Sequence, residues 1–461
     1  MEYHDFLQQK RIITPTVGID IDASEINPIL FDFQRDITIW ALKKGRAALF
    51  EGCGLGKTFQ QLEWSRLVHK YTQGNVLILA PLAVAPQTVE EGKKLGITVH
   101  LCRNHEHVKP GINITNYEML SHFNPDEFAA IVLDESSILK AYDGKTRTEI
   151  IDAFKNTPFR LACTATPAPN DYMELGNHSE FLGVMTRAEM LSMFFAHDGG
   201  DTAKWRLKGH AADMFWQWVA SWAVMLQKPS DLGYSDENFE LPPLRIHQVT
   251  IESNEIPEGA LFAVAAETLQ ERQKARAATV QERAEACAEL VNVSDEPWIV
   301  WCNLNNESEE LTKRIIGAVE IRGSHTPEYK ETKMTEFTSG KFLKLVSKPS
   351  ICGFGMNWQH VSKMAFVGLS DSFEEYYQAV RRCWRFGQKN PVDVYIITTE
   401  LEGAVVENIK RKERDFEAML KGMISATQEI TKANIQSTQR ALTEYNPQQK
   451  MQLPSWLKGV A

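Results

Sequence analysis

The sequence predicts an α/β protein of two lobes, each built on a parallel sheet, with a helical insertion between them. Short continuous apolar runs alternate with helical patterns in two separate stretches, and several of the runs end in a polar residue. Such runs are typical of buried parallel strands that carry functional loops at their carboxyl ends. A chain of 461 residues also exceeds the size at which one core usually stops growing. Pattern and length therefore both favour two lobes.

Each lobe is predicted from its own set of apolar runs. The runs of the first lobe occupy residues 47–50, 76–81, 113–117, 130–134 and 160–164. Those of the second lobe occupy residues 298–301, 344–347, 364–367 and 392–397. The predicted division is a first lobe at 1–182, an insertion and inter-lobe passage at 183–245, a second lobe at 246–425 and a polar tail at 426–461.

The insertion is rich in aromatic residues at helical spacing, among them Phe215, Trp216, Trp218 and Trp222. This spacing is more typical of the core of a helical subdomain than of a ligand surface. We therefore interpret the cluster as core.

Composition excludes some classes of protein and names no function. The seven cysteines are scattered singly, which argues against a zinc site or a disulfide framework and suits a reducing cytoplasm. No apolar run is long enough to cross a bilayer and the amino terminus lacks a signal-peptide layout, so we expect a cytoplasmic protein with no membrane partner. The net charge of -10 weighs against a passive nucleic-acid coat but permits a local basic groove.

A glycine-rich segment after the first apolar run has the residues that grip a polyphosphate. Gly54 and Gly56 let the loop curl round phosphate oxygens, Lys57 supplies positive charge and Thr58 a hydroxyl for Mg²⁺. The first glycine of the general pattern is replaced by Glu51. The preceding apolar run and the following helical pattern give the context that such a loop requires.

Two further groups complete the chemistry of phosphoryl transfer. Asp134 and Glu135 end an apolar run, where Asp134 would hold Mg²⁺ through its water shell and Glu135 would act as general base. Arg382 and Arg385 are spaced to reach a nucleotide from the second lobe. The alternative interpretation of these arginines is a structural salt-bridge pair.

These motifs stand in the order seen in superfamily 2 helicases. The sequence resembles their Swi/Snf-like branch, which is related to the DEAD/DEAH-box proteins, in a compact phage-type form. The resemblance covers roughly residues 30–420 and is carried by the glycine-rich loop and by Phe33-Gln34, Asp134–Ser137, 160–170, 353–358 and 378–388. Two departures are Ser137 and Trp384. The resemblance implies two RecA-like lobes that use ATP and Mg²⁺.

The resemblance also implies roles for single residues at the nucleotide. Gln34 would read adenine, and Gly355 would let the backbone of the second lobe approach the nucleotide. Thr164 and Thr166 would couple the carboxylate pair to the nucleic-acid face. Gln378 would sit between the arginines and the γ-phosphate or water.

The predicted partner is DNA, with duplex favoured over a single strand. By resemblance, Thr115, Tyr117, Asn303 and Asn357 would line its track. The implied activity is that of an ATP-dependent helicase or translocase, a monomer that acts in a bacterial host cytoplasm if phage-encoded.

Two alternatives stay open. One is an RNA helicase on the same two lobes. The other is an ATP-gated DNA clamp or loader that acts with a replication, recombination or repair protein, supported by Ser136-Ser137 and the polar tail.

Overall fold

The computed structural model describes residues 18–82, 84–140, 144–169, 171–198, 201–251, 276–353, 356–370, 372–399 and 403–439. Its strands, in chain order, are β1 Arg46–Glu51, β2 Asn75–Ala80, β3 Val99–Leu101, β4 Ile112–Asn116, β5 Phe128–Asp134, β6 Phe159–Thr164, β7 Phe195–Asp198, β8 Asp201–Leu207, β9 Ala223–Leu226, β10 Leu244–Ile251, β11 Trp298–Trp301, β12 Ala318–Ile321, β13 Lys344–Ser347, β14 Lys363–Phe366 and β15 Val392–Thr399.

The α-helices, in chain order, are α1 Asp32–Lys44, α2 Lys57–Thr72, α3 Ala85–Lys94, α4 Lys145–Phe154, α5 Leu175–Leu182, α6 Arg187–Phe194, α7 Ala212–Ala220, α8 Val280–Asn292, α9 Asn305–Arg314, α10 Pro327–Thr338, α11 Pro349–Cys352, α12 Phe373–Val380 and α13 Gly403–Gln439. Within the described ranges, none of these helices has a stretch long and apolar enough to span a membrane.

The two parallel sheets predicted from the sequence are confirmed. The first has the strand order β3-β4-β2-β5-β6-β1-β9 and the second the order β10-β15-β14-β11-β13-β12, and every pairing in both is parallel. Parallel strands need crossovers, and the helices that supply them cover the sheets.

Both faces of each sheet are buried, which explains why the strands appear as continuous apolar runs. In β1, Ala47 and Leu49 pack into one apolar cluster while Ala48 and Phe50 pack into the other. The strands of the second sheet divide in the same way. The carboxyl ends of β1 and β5 therefore meet at one edge of the first sheet, where the glycine-rich loop and the acidic pair begin.

The predicted division of the chain differs from the structure at two places. Residues 223–226, assigned to the insertion, form the edge strand β9 beside β1 of the first sheet. The insertion also contains the antiparallel hairpin β7–β8. Its aromatic cluster is core, as predicted, with Phe215, Trp218 and Trp222 buried.

The second difference lies at the predicted start of the polar tail at 426. Helix α13 continues through that point to Gln439, because its apolar side chains recur at helical spacing among polar ones. Phe416 packs against Phe373 of the second lobe. Further along, Asn434 Nδ2 donates to the carbonyl of Ala220 in the insertion at 3.2 Å, and Ile435 packs into an apolar cluster of the first lobe. One helix therefore touches both lobes.

Candidate functional site

The loop between β1 and α2 has a conformation that requires glycine. Gly54 and Gly56 have φ values of +92° and +80°, which other residues rarely adopt. A Cβ atom at Gly54 would lie 2.7 Å from the amide nitrogen of Phe386, which belongs to the second lobe. The loop thus lies directly against the other lobe.

The residues predicted to hold phosphate and metal lie together in one cleft between the lobes. Lys57 begins α2, and its Nζ donates to the carbonyls of Glu51 and Gly52 at 2.8 and 3.2 Å. The cleft has a cavity of about 300 Å³. Its lining includes Gln34, Lys57, Thr58, Asp134, Glu135, Arg382 and Arg385.

The acidic pair at the end of β5 is held from two sides. Gln61 Nε2, on α2, donates to Oδ1 of Asp134 at 2.8 Å, and the Tyr117 hydroxyl donates to the Asp134 carbonyl at 2.6 Å. Glu135 has a φ of +55°, a left-handed conformation that costs a non-glycine residue on the order of 1 kcal/mol or more. In this conformation Oε1 of Glu135 lies 3.8 Å from Arg382 of the second lobe.

Burial raises the pKa of both Asp134 and Glu135 above the ordinary carboxyl values. The neighbouring Asp134 charge raises the pKa of Glu135 further, whereas Arg382 lowers it. A carboxylate with a raised pKa is a better proton acceptor near neutral pH. This environment suits the predicted role of Glu135 as general base.

Glu51, the departure from the usual loop pattern, is buried behind the loop. Its Oε2 accepts a hydrogen bond from Gln60 Nε2 at 2.7 Å, and burial raises the pKa of its carboxyl to about 7. Lys57, the nearest positive charge, opposes that rise. The Glu51 carboxyl can therefore gain or lose a proton near neutral pH, close to the charge of Lys57.

One of the two predicted arginines of the second lobe reaches the acidic pair, and the other lines the cavity. Arg382 is buried, donates to Gln378 Oε1 at 2.7 Å and lies 3.8 Å from Glu135 Oε1. Arg385 donates to the carbonyl of Met356 at 3.4 Å and lines the cavity. The structural-pair alternative does not account for Arg385, since its described contact is a single weak bond to a carbonyl.

Of the two predicted coupling residues, Thr166 contacts the second lobe and Thr164 lies behind it in the first. Thr164, at the end of β6, accepts a hydrogen bond on its Oγ1 from the Thr166 amide at 3.1 Å. Gln378 Nε2 makes a weak bond to Thr166 Oγ1 at 3.5 Å. The loop after β6 thereby contacts the helix that carries the arginines.

Sequence reasoning missed several residues that join these parts. Arg381 donates to the carbonyl of Cys53 in the glycine-rich loop at 2.8 Å. Trp384, a departure from the family pattern, donates from Nε1 to the Pro242 carbonyl at 2.7 Å and so ties this segment to the inter-lobe passage. Arg381 could have been suspected from its place in the arginine motif, whereas nothing in the sequence pointed to the Pro242 carbonyl as the partner of Trp384.

Ser136 also has a partner that the sequence did not predict. Its Oγ lies 3.1 Å from Nε2 of His178 on α5, and both side chains are fully buried. Burial lowers the pKa of His178 to about 4, so the imidazole is neutral at physiological pH. Thus the Ser-Ser form of the acidic motif is packed onto α5 by a neutral hydrogen bond.

Three aromatic rings form one wall of the cleft beside Gln34. Phe239 and Phe386 stack with ring centroids 4.8 Å apart, and Phe31 meets Phe239 edge-on at 5.0 Å. Gln34 Nε2 donates to the Leu55 carbonyl at 2.7 Å, and its Oε1 accepts from the Phe31 amide at 3.0 Å. The predicted adenine-reading amide is therefore fixed against the loop at an apolar wall suited to a base.

The predicted nucleic-acid residues are not brought together on one surface. Thr115 and Tyr117 are buried, and the Tyr117 hydroxyl serves the acidic pair. The resemblance assigned both residues to the track, but their burial leaves little of either side chain open to a nucleic acid. Asn357 lines the cleft and Asn303 is half-buried. Gly355 lies outside the described residues.

The side chains present fit ATP with Mg²⁺. Among the described residues, Glu135 Oε2, Arg385 Nε and Asn357 Oδ1 are buried polar atoms without a hydrogen-bond partner, and all three residues line the cavity. Buried polar groups are rarely left unpaired, so such a set marks a place for a polar ligand. Thr58 and Asp134 supply the oxygen atoms that Mg²⁺ prefers.

Comparison with known proteins finds one matching domain model and two similar solved structures. Residues 282–387 match the helicase conserved C-terminal domain. Saccharomyces cerevisiae Dbp5 bound to RNA and ADP BeF3 is 11% identical with a TM-score of 0.56, over 86% of this chain and 93% of that one. The Sulfolobus solfataricus SWI2/SNF2 ATPase core in complex with dsDNA is 16% identical with a TM-score of 0.42, over 91% and 98%. No curated protein matches the sequence. At this identity the likeness to Dbp5 shows a shared fold.

Proposed function

We propose that this chain, a superfamily 2 helicase by its C-terminal domain and its fold, couples ATP hydrolysis to movement along DNA. The observation that carries the proposal is the approach of Arg382 in the second lobe to within 3.8 Å of Glu135 in the first. A site completed by two lobes links the chemistry of the nucleotide to the relative position of the lobes. Hydrolysis can then drive repeated closing and opening.

The predicted site residues in the cleft each have a role in this reaction. Lys57 binds the terminal phosphates, while Thr58 and Asp134 would hold Mg²⁺, which would neutralise charge on the phosphates. Glu135 accepts a proton from the attacking water. Arg382 and Arg385 stabilise the charge that develops on the transferring phosphoryl group, and such arginines contribute about 10³-fold or more.

Gln34 and the aromatic wall would hold the base of the nucleotide. The amide of Gln34 has a donor and an acceptor that match adenine, and Phe31 holds its oxygen in place. Phe239 and Phe386 come from the passage and the second lobe, so base binding also senses whether the lobes are closed. This arrangement supports ATP rather than GTP as the substrate.

Duplex DNA is the proposed track because the arginine segment has the Swi/Snf-like ending Arg-Phe-Gly-Gln at 385–388. A second candidate is an RNA helicase, favoured by the fold shared with Dbp5, whose structure was solved bound to RNA. The clamp or loader is less well supported, since the hydrolytic residues of both lobes are in place around one cleft. A phage origin, a monomeric state and a replication or repair partner stay predictions.

The test is ATP turnover by the purified chain alone, with duplex DNA, with single-stranded DNA and with RNA. We expect duplex DNA to stimulate turnover most strongly and Lys57→Ala to abolish it under every condition. The strongest stimulation by RNA would favour the second candidate. Bound ATP without turnover under any condition would contradict the proposal and support a clamp.

A further inference from the structure

Besides the pair of Arg382 and Glu135, a second ion pair joins the lobes. Lys140 ends the helical turn 136–140 that follows Glu135, and its Nζ donates to Oε2 of Glu374 in the second lobe. Glu374 lies in the first turn of α12 and its side chain is 5% exposed, while that of Lys140 is 39% exposed. A buried carboxylate of one lobe is therefore neutralised by a lysine of the other.

Glu374 also contacts the predicted coupling segment. Thr166 Oγ1 donates to its other oxygen, Oε1, at 3.4 Å. Gln378, one turn further along α12, bonds to the same threonine hydroxyl. The carboxylate thus joins two separate segments of the first lobe, the turn after the acidic pair and the loop after β6.

The turn that presents Lys140 is held firmly by α5. Asn177 Nδ2 donates to the carbonyls of Leu139 and Lys140 at 2.7 and 3.1 Å. The bond between Ser136 and His178 fixes the other end of the turn to the same helix. Because its backbone is anchored, Lys140 presents its charge from a defined position, and the ion pair can specify how the lobes meet.

The position of Glu374 along α12 connects this pair to the catalytic arginine. Glu374, Gln378 and Arg382 follow one another at intervals of four residues, so they lie along one side of α12 and of the turn that continues it. Arg382 Nε also donates to the carbonyl of Gln378 at 2.9 Å. A contact that fixes Glu374 therefore aligns the other two side chains.

We propose that Lys140 and Glu374 are positioning residues that favour the closed arrangement of the lobes, in which Gln378 and Arg382 lie against Glu135. The inference rests on the proposed ATP hydrolysis. When the lobes separate, water can solvate Glu374; when they close, it is buried and needs Lys140 to offset the loss of hydration. Closure therefore depends on whether α12 places Glu374 within reach of Lys140 in the turn 136–140.

The first experiment measures nucleic-acid-stimulated ATP turnover in Lys140→Ala, with Arg103→Ala as the matched control. Arg103 also pairs across the lobes, with Glu328 and Glu331, but each distance is 3.4 Å and Arg103 is 42% exposed. We expect kcat of Lys140→Ala to fall about 10-fold or more, because truncating one partner of a buried charge pair leaves the other uncompensated. The control should stay within about 2-fold of the unmodified chain, as exposed pairs contribute little.

The KM for ATP separates positioning from general damage. The glycine-rich loop, Lys57 and Gln34 bind ATP from the first lobe, and Phe386 of the base wall comes from the second. We therefore expect KM to change much less than kcat in Lys140→Ala. The exchanged pair Lys140→Glu with Glu374→Lys should recover most of the activity that either single reversal loses. An unchanged kcat in Lys140→Ala, or an exchanged pair no better than the single reversals, would overturn the inference.

Small-angle X-ray scattering gives a readout that does not need hydrolysis. With a non-hydrolysable ATP analogue and duplex DNA, we expect a larger radius of gyration for Lys140→Ala than for the unmodified chain or Arg103→Ala. If the unmodified chain shows no turnover, the proposed function fails but the scattering still tests the pair. Equal radii for all three would refute the role of Lys140 in closure.

Discussion

Replacing Glu51 by glutamine should change how the stability of the protein depends on pH. The Glu51 carboxyl is buried, and its Oε1 has no hydrogen-bond partner among the described residues. Burial raises its pKa from 4.5 to about 7. Glutamine has the same shape, can keep the bond to Gln60 through its carbonyl and has no charge to bury.

The magnitude follows from the two pKa values. Above pH 4.5 the unfolded chain releases this proton, whereas the folded chain keeps it until the pH passes about 7. The free energy of unfolding therefore falls as the pH rises through this window, by about 3 kcal/mol in total at about 1.4 kcal/mol per pH unit. The Glu51→Gln variant should lack this contribution, so it should gain stability relative to the unmodified chain as the pH rises.

The assay is urea unfolding of both proteins at about pH 5 and about pH 8, with Glu289→Gln as a control at an exposed carboxyl. The difference in unfolding free energy between Glu51→Gln and the unmodified chain should grow by about 2 to 3 kcal/mol between the two pH values. Glu289→Gln should show no such growth. A difference that is constant with pH would show that Glu51 is ionised in the folded chain and would refute the reasoning.

Two further substitutions test the packing of the cleft and of the second lobe. Gly54→Ala should lower ATP turnover about 10-fold or more, because its methyl group would lie 2.7 Å from the Phe386 amide nitrogen. The control is Gly317→Ala, which has similar backbone strain at φ +75° but open space around the methyl group, so its turnover should fall much less. Equal turnover in the two variants would contradict a close approach of the lobes at this loop. Arg283→Met should lower the free energy of unfolding by about 3–5 kcal/mol in urea, since it leaves Glu307 buried without its ion-pair partner. A loss below about 1 kcal/mol would mean that Glu307 finds another partner or is protonated.

The fold, and the grouping of the glycine-rich loop with the acidic pair in one cleft, could be predicted because each depends on local sequence patterns. Strands buried on both faces appear as apolar runs, and Gly54 and Gly56 indicate that the loop after β1 needs positive φ values. Asp134 and Glu135 lie at the carboxyl end of β5, which the rules for parallel sheets place beside that loop. Each of these inferences needs only one short segment and its neighbours.

The contacts between the lobes could not be predicted in this way. Lys140 and Glu374 are 234 positions apart, and no motif contains Lys140. For Glu374 the sequence contained one indication, because it precedes Gln378 by four residues and so lies on the same side of a helix. Tyr117 was assigned to the nucleic-acid track by resemblance, whereas its side chain is buried and its hydroxyl donates to the Asp134 carbonyl, which depends on packing around it. Pairings of this kind depend on how two separately predicted lobes meet.

The polar tail was misplaced for a related reason. Phe416, Leu420 and Met423 bury one side of α13 among polar residues that dominate the average composition. A judgement by composition therefore ended the lobe at 425, whereas the helical period continues.

The central claim is that the second lobe completes a nucleotide site held by the first. The most direct test is to compare ATP affinity and ATP turnover in Arg385→Ala, with the nearby exposed Lys389→Ala as control. We predict that ATP binding is largely kept while kcat falls by about 10³-fold, as for arginines that act on the transferring phosphoryl group, and that the control behaves like the unmodified chain. Unchanged turnover in Arg385→Ala, or a loss of ATP affinity that matches the loss of turnover, would contradict the account.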